Sequence, residues 1–171
     1  IRGYEELAKG NIPIIASFDK DTYQGQGLHV YNFKNKGAKV EHIPEVGSLT
    51  FKAPQTVKGD GIKFLCWQWI CYDKVDNYCS YDCSTKRFGP KTAYNLLKDL
   101  DSEKECLEMV LKVFKERYPE PFTYTAWDDS IVESSWKHQL EMYFACCWMK
   151  RSRDDPSSPW LLFDKYNVEY E

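Results

Sequence analysis

The sequence has neither a long apolar run nor an excess of charge of one sign. No segment approaches the roughly 20 apolar residues that cross a bilayer, and residues 1–6 lack the apolar stretch of a signal peptide. The formal net charge is only −3, which argues against the broad basic face of a phosphate-binding protein. We therefore expect no membrane insertion, and we favour a protein partner over nucleic acid.

Cofactor and catalytic signatures are missing as well. The phosphate-binding loops G-x-G-x-x-G and G-x4-G-K-[ST], the nucleophile elbow G-x-S-x-G and the zinc motif H-E-x-x-H are all absent. The acidic segment that begins at Asp19 has its glycine one position too late for an EF-hand, and Val30 stands where that loop needs glutamate. The sequence predicts no cofactor and contains no complete catalytic constellation.

Histidine is scarce, with only three residues in the chain. His29 and His42 fall on predicted strands, so an acid–base pair across a sheet, of the kind that can cleave RNA, stays open. His138 and Glu141 share one face of a predicted helix, but no second histidine lies near them in the sequence. A surface pair is the favoured interpretation of His138 and Glu141.

The seven cysteines leave three alternatives open, because an odd number cannot be fully paired within one chain. Cys66, Cys71, Cys79 and Cys83 have the spacing C-x4-C-x7-C-x3-C, which lacks the short knuckles of structural zinc sites. Disulfides between Cys79 or Cys83 and the later cysteines are the second alternative. We favour the third, in which most are buried free thiols and no metal is bound. The absence of an Asn-x-Ser/Thr sequon favours an intracellular location over secretion.

Aromatic residues are abundant: they make up 16% of the chain and include six tryptophans. Most should lie in the core, but tryptophan and tyrosine are also over-represented among binding hot spots. Two basic patches each have an aromatic neighbour. Their charges can be those of solvated loops, but their residues are also the candidate binding residues: Lys86, Arg87, Phe88, Trp148, Lys150 and Arg151. The sequence offers no candidate catalytic residue and no metal ligand set.

Apolar periodicity predicts the secondary structure. A short helix at 4–9 should precede strands at 12–18, 28–33, 38–43 and 48–52. In residues 62–72 both the odd-numbered and the even-numbered positions are mainly apolar. This pattern favours a central strand that is covered on both faces, with Trp67 and Trp69 in the core. This segment is the strongest single element of the pattern.

The second half has a helical pattern. Pro90 suits a first helical position, and Ser102 with Glu105 forms the sequence of a capping box before a stripe that ends at Pro119. A strand fits 122–127, and 128–130 should cap a helix that runs through Val132, Trp136 and Leu140. Residues 142–149 suit a helix or a buried strand, and 160–163 suit a strand that could close a C-terminal hairpin.

These elements predict an α+β fold, as a single domain over residues 1–171, with a mixed or antiparallel sheet and two to three helices packed mainly on one face. The favoured function is non-enzymatic binding of another protein through an aromatic-rich surface. A small hydrolase or nuclease that uses histidine and carboxylate groups is the first alternative, and a structural or self-assembling subunit, including a homo-oligomer, is the second. An enzyme should gather its histidines in a concave pocket, whereas a binding protein should expose an apolar patch.

Overall fold

A computed structural model of the chain describes residues 1–52, 56–71 and 89–171. These residues combine α-helices with short strands, as the α+β prediction requires. The helices are α1 Arg2–Ala8, α2 Gly61–Ile70, α3 Pro90–Leu97, α4 Glu103–Arg117, α5 Trp136–Cys147 and α6 Pro159–Lys165. The strands are β1 Ile14–Ala16, β2 His29–Tyr31, β3 Glu41–His42, β4 Leu49–Lys52, β5 Thr56–Gly59, β6 Phe122–Thr125 and β7 Ile131–Ser134, and a short 3₁₀ helix covers Lys20–Gln24.

The core is built by helices around α2. Every residue of α2 except Trp67 is buried, and α2 packs against α3, α4 and α5. The Trp69 ring lies at the centre, 4.7 Å from the Phe144 ring and 5.8 Å from the Phe163 ring. Its indole Nε1 donates a hydrogen bond to the Leu140 carbonyl at 3.0 Å. The prediction that Trp69 is a core residue is confirmed, whereas Trp67 is only partly buried.

The predicted central strand at 62–72 is wrong, because residues 61–70 form helix α2. A segment that is apolar on all sides fits a helix surrounded by protein as well as it fits a doubly covered strand. The length of the run is the better guide, since strands in globular proteins average about five to six residues. The central element of this fold is therefore a helix, and six helices stand in the described residues instead of two or three.

The strands form three small sheets instead of one large sheet. In the first sheet β1 pairs with β2 in parallel and β2 pairs with β3 in antiparallel orientation, so this sheet is mixed. The pairs β4–β5 and β6–β7 are antiparallel and two-stranded. Strands β1 to β4 lie within the ranges that the alternating pattern predicts.

Helix α4 is confirmed together with its capping box. The Ser102 Oγ accepts a hydrogen bond from the Glu105 backbone N–H at 3.2 Å, and Glu105 Oε2 accepts one from the Ser102 backbone N–H at 3.1 Å. Pro90 stands at the start of α3, as predicted. Local capping chemistry needs no tertiary context, which is why the sequence is informative here.

The C-terminal third differs from the prediction in two places. Residues 128–130 form the turn between β6 and β7 instead of a helix cap, since the Ala126 N–H donates to the Ser130 carbonyl at 2.8 Å. Val132, predicted to be helical, lies in β7. Ser135 caps α5, which continues as a helix through the ambiguous apolar run to Cys147. The predicted strand at 160–163 belongs to α6, which begins at Pro159, so no C-terminal hairpin forms there. None of the helices in the described ranges is long and apolar enough to cross a membrane.

Candidate functional site

The first sheet exposes one of its faces, which we call the aromatic face: Ile14, Phe18, His29, Tyr31, Phe33, Val40 and His42. Strand pairing places Ile14, His29 and His42 in one row across the three strands, and Tyr31 follows in the next row. Phe18 and Phe33 follow at the same two-residue spacing, which puts side chains on one side of a strand. Their rings meet edge to face with centroids 5.6 Å apart.

Large side chains on this face remain in contact with solvent. Ile14 is 55% exposed, Phe18 54% and Phe33 53%, and both Tyr31 and Val40 are also exposed. Single exposed apolar residues are normal on a protein surface, but a cluster of them is typical of an interaction site. The opposite face of the same sheet carries the fully buried Val30.

The two histidines meet on the aromatic face. The Ile43 N–H donates to the Leu28 carbonyl at 2.8 Å. Hydrogen-bonded and non-hydrogen-bonded pairs alternate along antiparallel strands, so the next pair, His29 and His42, is a non-hydrogen-bonded pair, in which side chains approach most closely. Their ring centroids are 4.9 Å apart, and His29 Nδ1 is buried with no hydrogen-bond partner among the described residues. His138 instead contacts the Ser134 hydroxyl through Nδ1 at 3.2 Å.

Lysines stand at one end of the aromatic face. The connection at residues 32–40 has three lysines and no acidic residue. The Lys34 Nζ lies 3.5 Å from the centroid of the Phe18 ring, within cation–π range, while Lys36 and Lys39 are exposed. Glu41 alternates to the opposite side of its strand, where it hydrogen-bonds to Tyr23, and it lines one cleft together with Phe18 at the edge of the sheet. Burial, followed by the Glu41 charge, raises the pKa of the Tyr23 phenol.

The second basic patch is held in place by its neighbours. The Arg151 guanidinium lies 4.5 Å from the centroid of the Trp148 ring and 5.4 Å from that of the Tyr4 ring, and its Nη2 donates to Gln26 Oε1. Trp148 is half-buried, stacks on Phe144 at 4.8 Å and donates from Nε1 to Asp155 Oδ2 at 3.0 Å. Trp148 thus serves as packing for Arg151 instead of an exposed anchor.

Two buried amides connect this patch to the rest of the protein. Gln24 is only 3% exposed; its Nε2 donates to the Cys147 carbonyl at 2.8 Å, and its Oε1 accepts from the Met149 N–H at 3.2 Å. Gln26 Nε2 donates to the Glu45 carbonyl at 3.0 Å. The two Gln24 bonds fix the segment that follows α5 against the 3₁₀ helix.

A cleft of about 200 Å³, which we call the basic cleft, opens beside Arg151. Its walls include the side chains of Ile15, Leu28 and Met149. In the part of the chain that the structure describes, its charged lining residues are all cations: Arg2, Lys150 and Arg151. Burial, only partly offset by the Arg151 charge, raises the pKa of the Tyr4 phenol at the cleft wall.

A second cleft, of about 410 Å³, lies between the first sheet and the β4–β5 hairpin. Its charged lining residues balance, with Lys20 and Lys58 against Glu41 and Asp60. The Asp60 Oδ1 accepts a hydrogen bond from the Ser48 N–H, and Phe18 and Phe64 are among the apolar residues of the lining. Neither of the two clefts is lined by a histidine among the residues that the structure describes.

The predicted binding residues divide into two groups. Trp148, Lys150 and Arg151 lie together beside the basic cleft, whereas Lys86, Arg87 and Phe88 lie outside the described residues. Cys79 and Cys83 also lie outside them, so the zinc and disulfide alternatives for these two cysteines stay predictions. Cys66, Cys106 and Cys147 are buried free thiols, and burial raises the pKa of the Cys106 thiol to about 12.

The pattern of the sequence did not reveal the aromatic face or the amides that position Arg151. Phe18, Tyr31 and Phe33 read only as strand residues, because apolar alternation does not tell whether the apolar side is covered. Gln24 and Gln26 fell in a segment predicted to be a loop. The signal that could have identified the patch is the glutamine–glycine alternation at 24–27, where amide side chains can bond to nearby backbone.

Comparison with known protein families, with curated proteins and with solved structures finds no match for this chain. We therefore infer its function from the geometry of these surfaces alone.

Proposed function

We propose that the chain is a non-enzymatic module that binds another protein through the aromatic face. The observation that carries the proposal is the clustering of Ile14, Phe18, Tyr31, Phe33 and Val40, all exposed, on one side of a single small sheet. Leaving several large apolar side chains in water gains nothing for folding, and covering them on binding is favourable at about 25 cal/mol per Å². Aromatic side chains are enriched in the cores of such interfaces.

The charges around the face define the partner. Lys34, Lys36 and Lys39 stand at one end of it with no acidic residue in the same connection. An interface favours opposite charge at its rim, because complementary potentials steer association and exclude partners of the wrong sign. The partner is therefore a protein segment with apolar side chains at its centre and acidic residues beside them.

A histidine-dependent hydrolase is the second candidate, and one observation favours it. His29 and His42 are close enough to exchange a proton through a bound substrate or water. Their surroundings support binding more than catalysis, since the histidines stand on an open sheet face and the neighbouring Glu41 alternates to the other side. In the binding proposal the two imidazoles are part of the contact surface.

Selection of random dodecapeptides displayed on phage against the immobilised chain tests the proposal. Enriched peptides should combine aromatic or aliphatic residues with Asp and Glu. A Phe18→Ser/Phe33→Ser double variant should no longer bind these peptides. The matched control is Trp127→Ser, because Trp127 is 96% exposed and lies on a different sheet, at the β6–β7 turn. Retention of the peptides by the double variant would refute the proposal.

Three further measurements separate the alternatives. Light scattering at increasing concentration tests self-association, and a dimer that dissociates in the Phe18→Ser/Phe33→Ser variant would make a second copy the partner. Preferential binding of a single-stranded oligonucleotide over the selected peptides would replace the protein by nucleic acid. RNA cleavage that disappears in a His29→Gln/His42→Gln variant with an intact fold would replace binding by hydrolysis.

A further inference from the structure

The basic cleft has the lining of a small-molecule site that is separate from the aromatic face. Its side chains combine an apolar wall, formed by Ile15, Leu28 and Met149, with the cations Arg2, Lys150 and Arg151 and with no carboxylate among the described residues. Small-molecule sites in proteins are typically apolar concave surfaces with a few polar groups in fixed positions. The lining therefore complements a ligand with an apolar body and a negative charge.

Arg151 is fixed in position before any ligand arrives. Its guanidinium lies within cation–π range of the rings of Trp148 and Tyr4, and the buried Gln26 side chain accepts a hydrogen bond from its Nη2. A guanidinium has five N–H donors in a rigid fork that matches a carboxylate. Among the described residues Gln26 accepts from one of these donors, so the rest of the fork can face a carboxylate. Most solvated surface arginines lack such a framework, and preorganisation lowers the entropic cost of binding.

The balance of charge close to Arg151 does not remove this complementarity. Asp155 is close to Arg151: its Oδ2 accepts from the Arg151 backbone N–H at 2.9 Å and from the Trp148 indole at 3.0 Å, and its charge attracts that of the Arg151 guanidinium. Glu5 pairs with Arg153 at 3.7 Å, and neither of these two residues lines the cleft. The charged side chains that line the cleft are thus cations, while the carboxylates of Asp155 and Glu5 already accept hydrogen bonds or pair with other groups.

We infer that the basic cleft binds a small apolar carboxylate, with the carboxylate on Arg151 and the apolar body against Leu28 and Met149. The volume fits a body of about one aromatic ring, because the cleft measures about 200 Å³ and an apolar cavity of about 150 Å³ holds benzene. Benzoate is therefore a suitable probe. Benzyl alcohol has nearly the same shape without the charge.

The test is titration calorimetry of the 171-residue chain with benzoate and with benzyl alcohol, at one fixed salt concentration. Benzoate should bind about tenfold more tightly than benzyl alcohol, a difference of about 1.4 kcal/mol. Arg151→Gln should remove this preference while leaving benzyl alcohol binding unchanged. Met149→Ser, at the exposed end of the apolar wall, should weaken both ligands alike.

Two variants keep the test independent of folding. Lys150→Gln changes an exposed cation of the lining, so it should reduce benzoate affinity without loss of the fold even if Arg151→Gln is unstable. Lys112→Gln is the matched control and should change nothing, because Lys112 is an exposed lysine of α4 that does not line the cleft. The inference would be overturned if benzoate did not bind, or if it bound no more tightly than benzyl alcohol. It would also be overturned if Arg151→Gln and Lys150→Gln both had the benzoate affinity of the wild type.

Discussion

Replacement of the two tryptophans of α2 tests the helical core directly. In a strand, Trp67 and Trp69 would share one face and their substitutions would have similar costs. In a helix, side chains that are two positions apart point about 200° away from each other around the axis. Trp67 and Trp69 therefore have different surroundings. Trp69 is fully buried between Phe144 and Phe163, whereas Trp67 is half-buried, stacks on Phe64 at 5.7 Å and donates from Nε1 to the Pro90 carbonyl at 3.1 Å.

The magnitudes follow from this difference. Trp69→Ala should lower the free energy of unfolding by about 3–5 kcal/mol, since it removes a fully buried aromatic side chain and leaves a cavity. Trp67→Ala should lower it by about 1–2 kcal/mol, because it loses partial burial and one hydrogen bond. Urea denaturation followed by far-ultraviolet circular dichroism measures both without relying on tryptophan fluorescence. Equal losses in the two variants would refute the assignment of 61–70 to a helix.

Three further predictions concern the backbone, the loop after α5 and the thiols. Gly47→Ala should destabilise the fold by more than the cost of a left-handed alanine, which is about 1–2 kcal/mol, because φ is +77° and a Cβ would lie 2.0 Å from the Asp60 carbonyl oxygen. Gly37→Ala has the same φ but open space around it, so it should cost only that backbone penalty. Equal melting temperatures of the two variants would contradict this prediction. Burial raises the pKa of the Asp155 carboxyl, but hydrogen bonds from backbone N–H groups and the Trp148 indole outweigh it and hold that pKa below its usual value. The stabilisation is therefore present at neutral pH and is lost as pH falls through the folded-state pKa. Asp155→Ala should cost about 1–2 kcal/mol at pH 7 and progressively less in acid, and a loss that does not change with pH would exclude this cause. Cys146 is exposed, whereas burial strongly raises the pKa of the Cys147 thiol, so iodoacetamide at pH 8 followed by peptide mass spectrometry should modify Cys146 first, and rapid modification of Cys147 would contradict the packing of α5.

The sequence was most informative where local chemistry decides the structure. The capping box at Ser102 and the proline at position 90 identify two helix starts, since both act through neighbouring backbone groups. The alternating pattern likewise locates β2 and β4. The sequence was misleading for α2, where burial on all sides removes the difference between the helical and strand periods.

The candidate site shows the same limit from another direction. Lys150 and Arg151 could be nominated from a cluster of cations beside an aromatic residue, but their framework involves Tyr4, Gln24 and Gln26, which are more than 120 residues away along the chain. The two predicted strands allowed a contact between His29 and His42, but the strand register that brings the two side chains together depends on the turn at 32–40. Contacts of this kind are set by tertiary packing and have no local signal.

The affinity of a selected acidic and apolar peptide for three forms of the chain tests the binding proposal most directly. Fluorescence anisotropy with a labelled peptide gives Kd for the wild type, for Phe18→Ser/Phe33→Ser and for Trp127→Ser, after thermal denaturation has shown that all three fold alike. The double variant should bind at least about 30-fold more weakly, as expected for loss of an aromatic hot spot of about 2 kcal/mol, while Trp127→Ser should match the wild type. Unchanged affinity in the double variant, or a loss confined to Trp127→Ser, would contradict binding through the aromatic face.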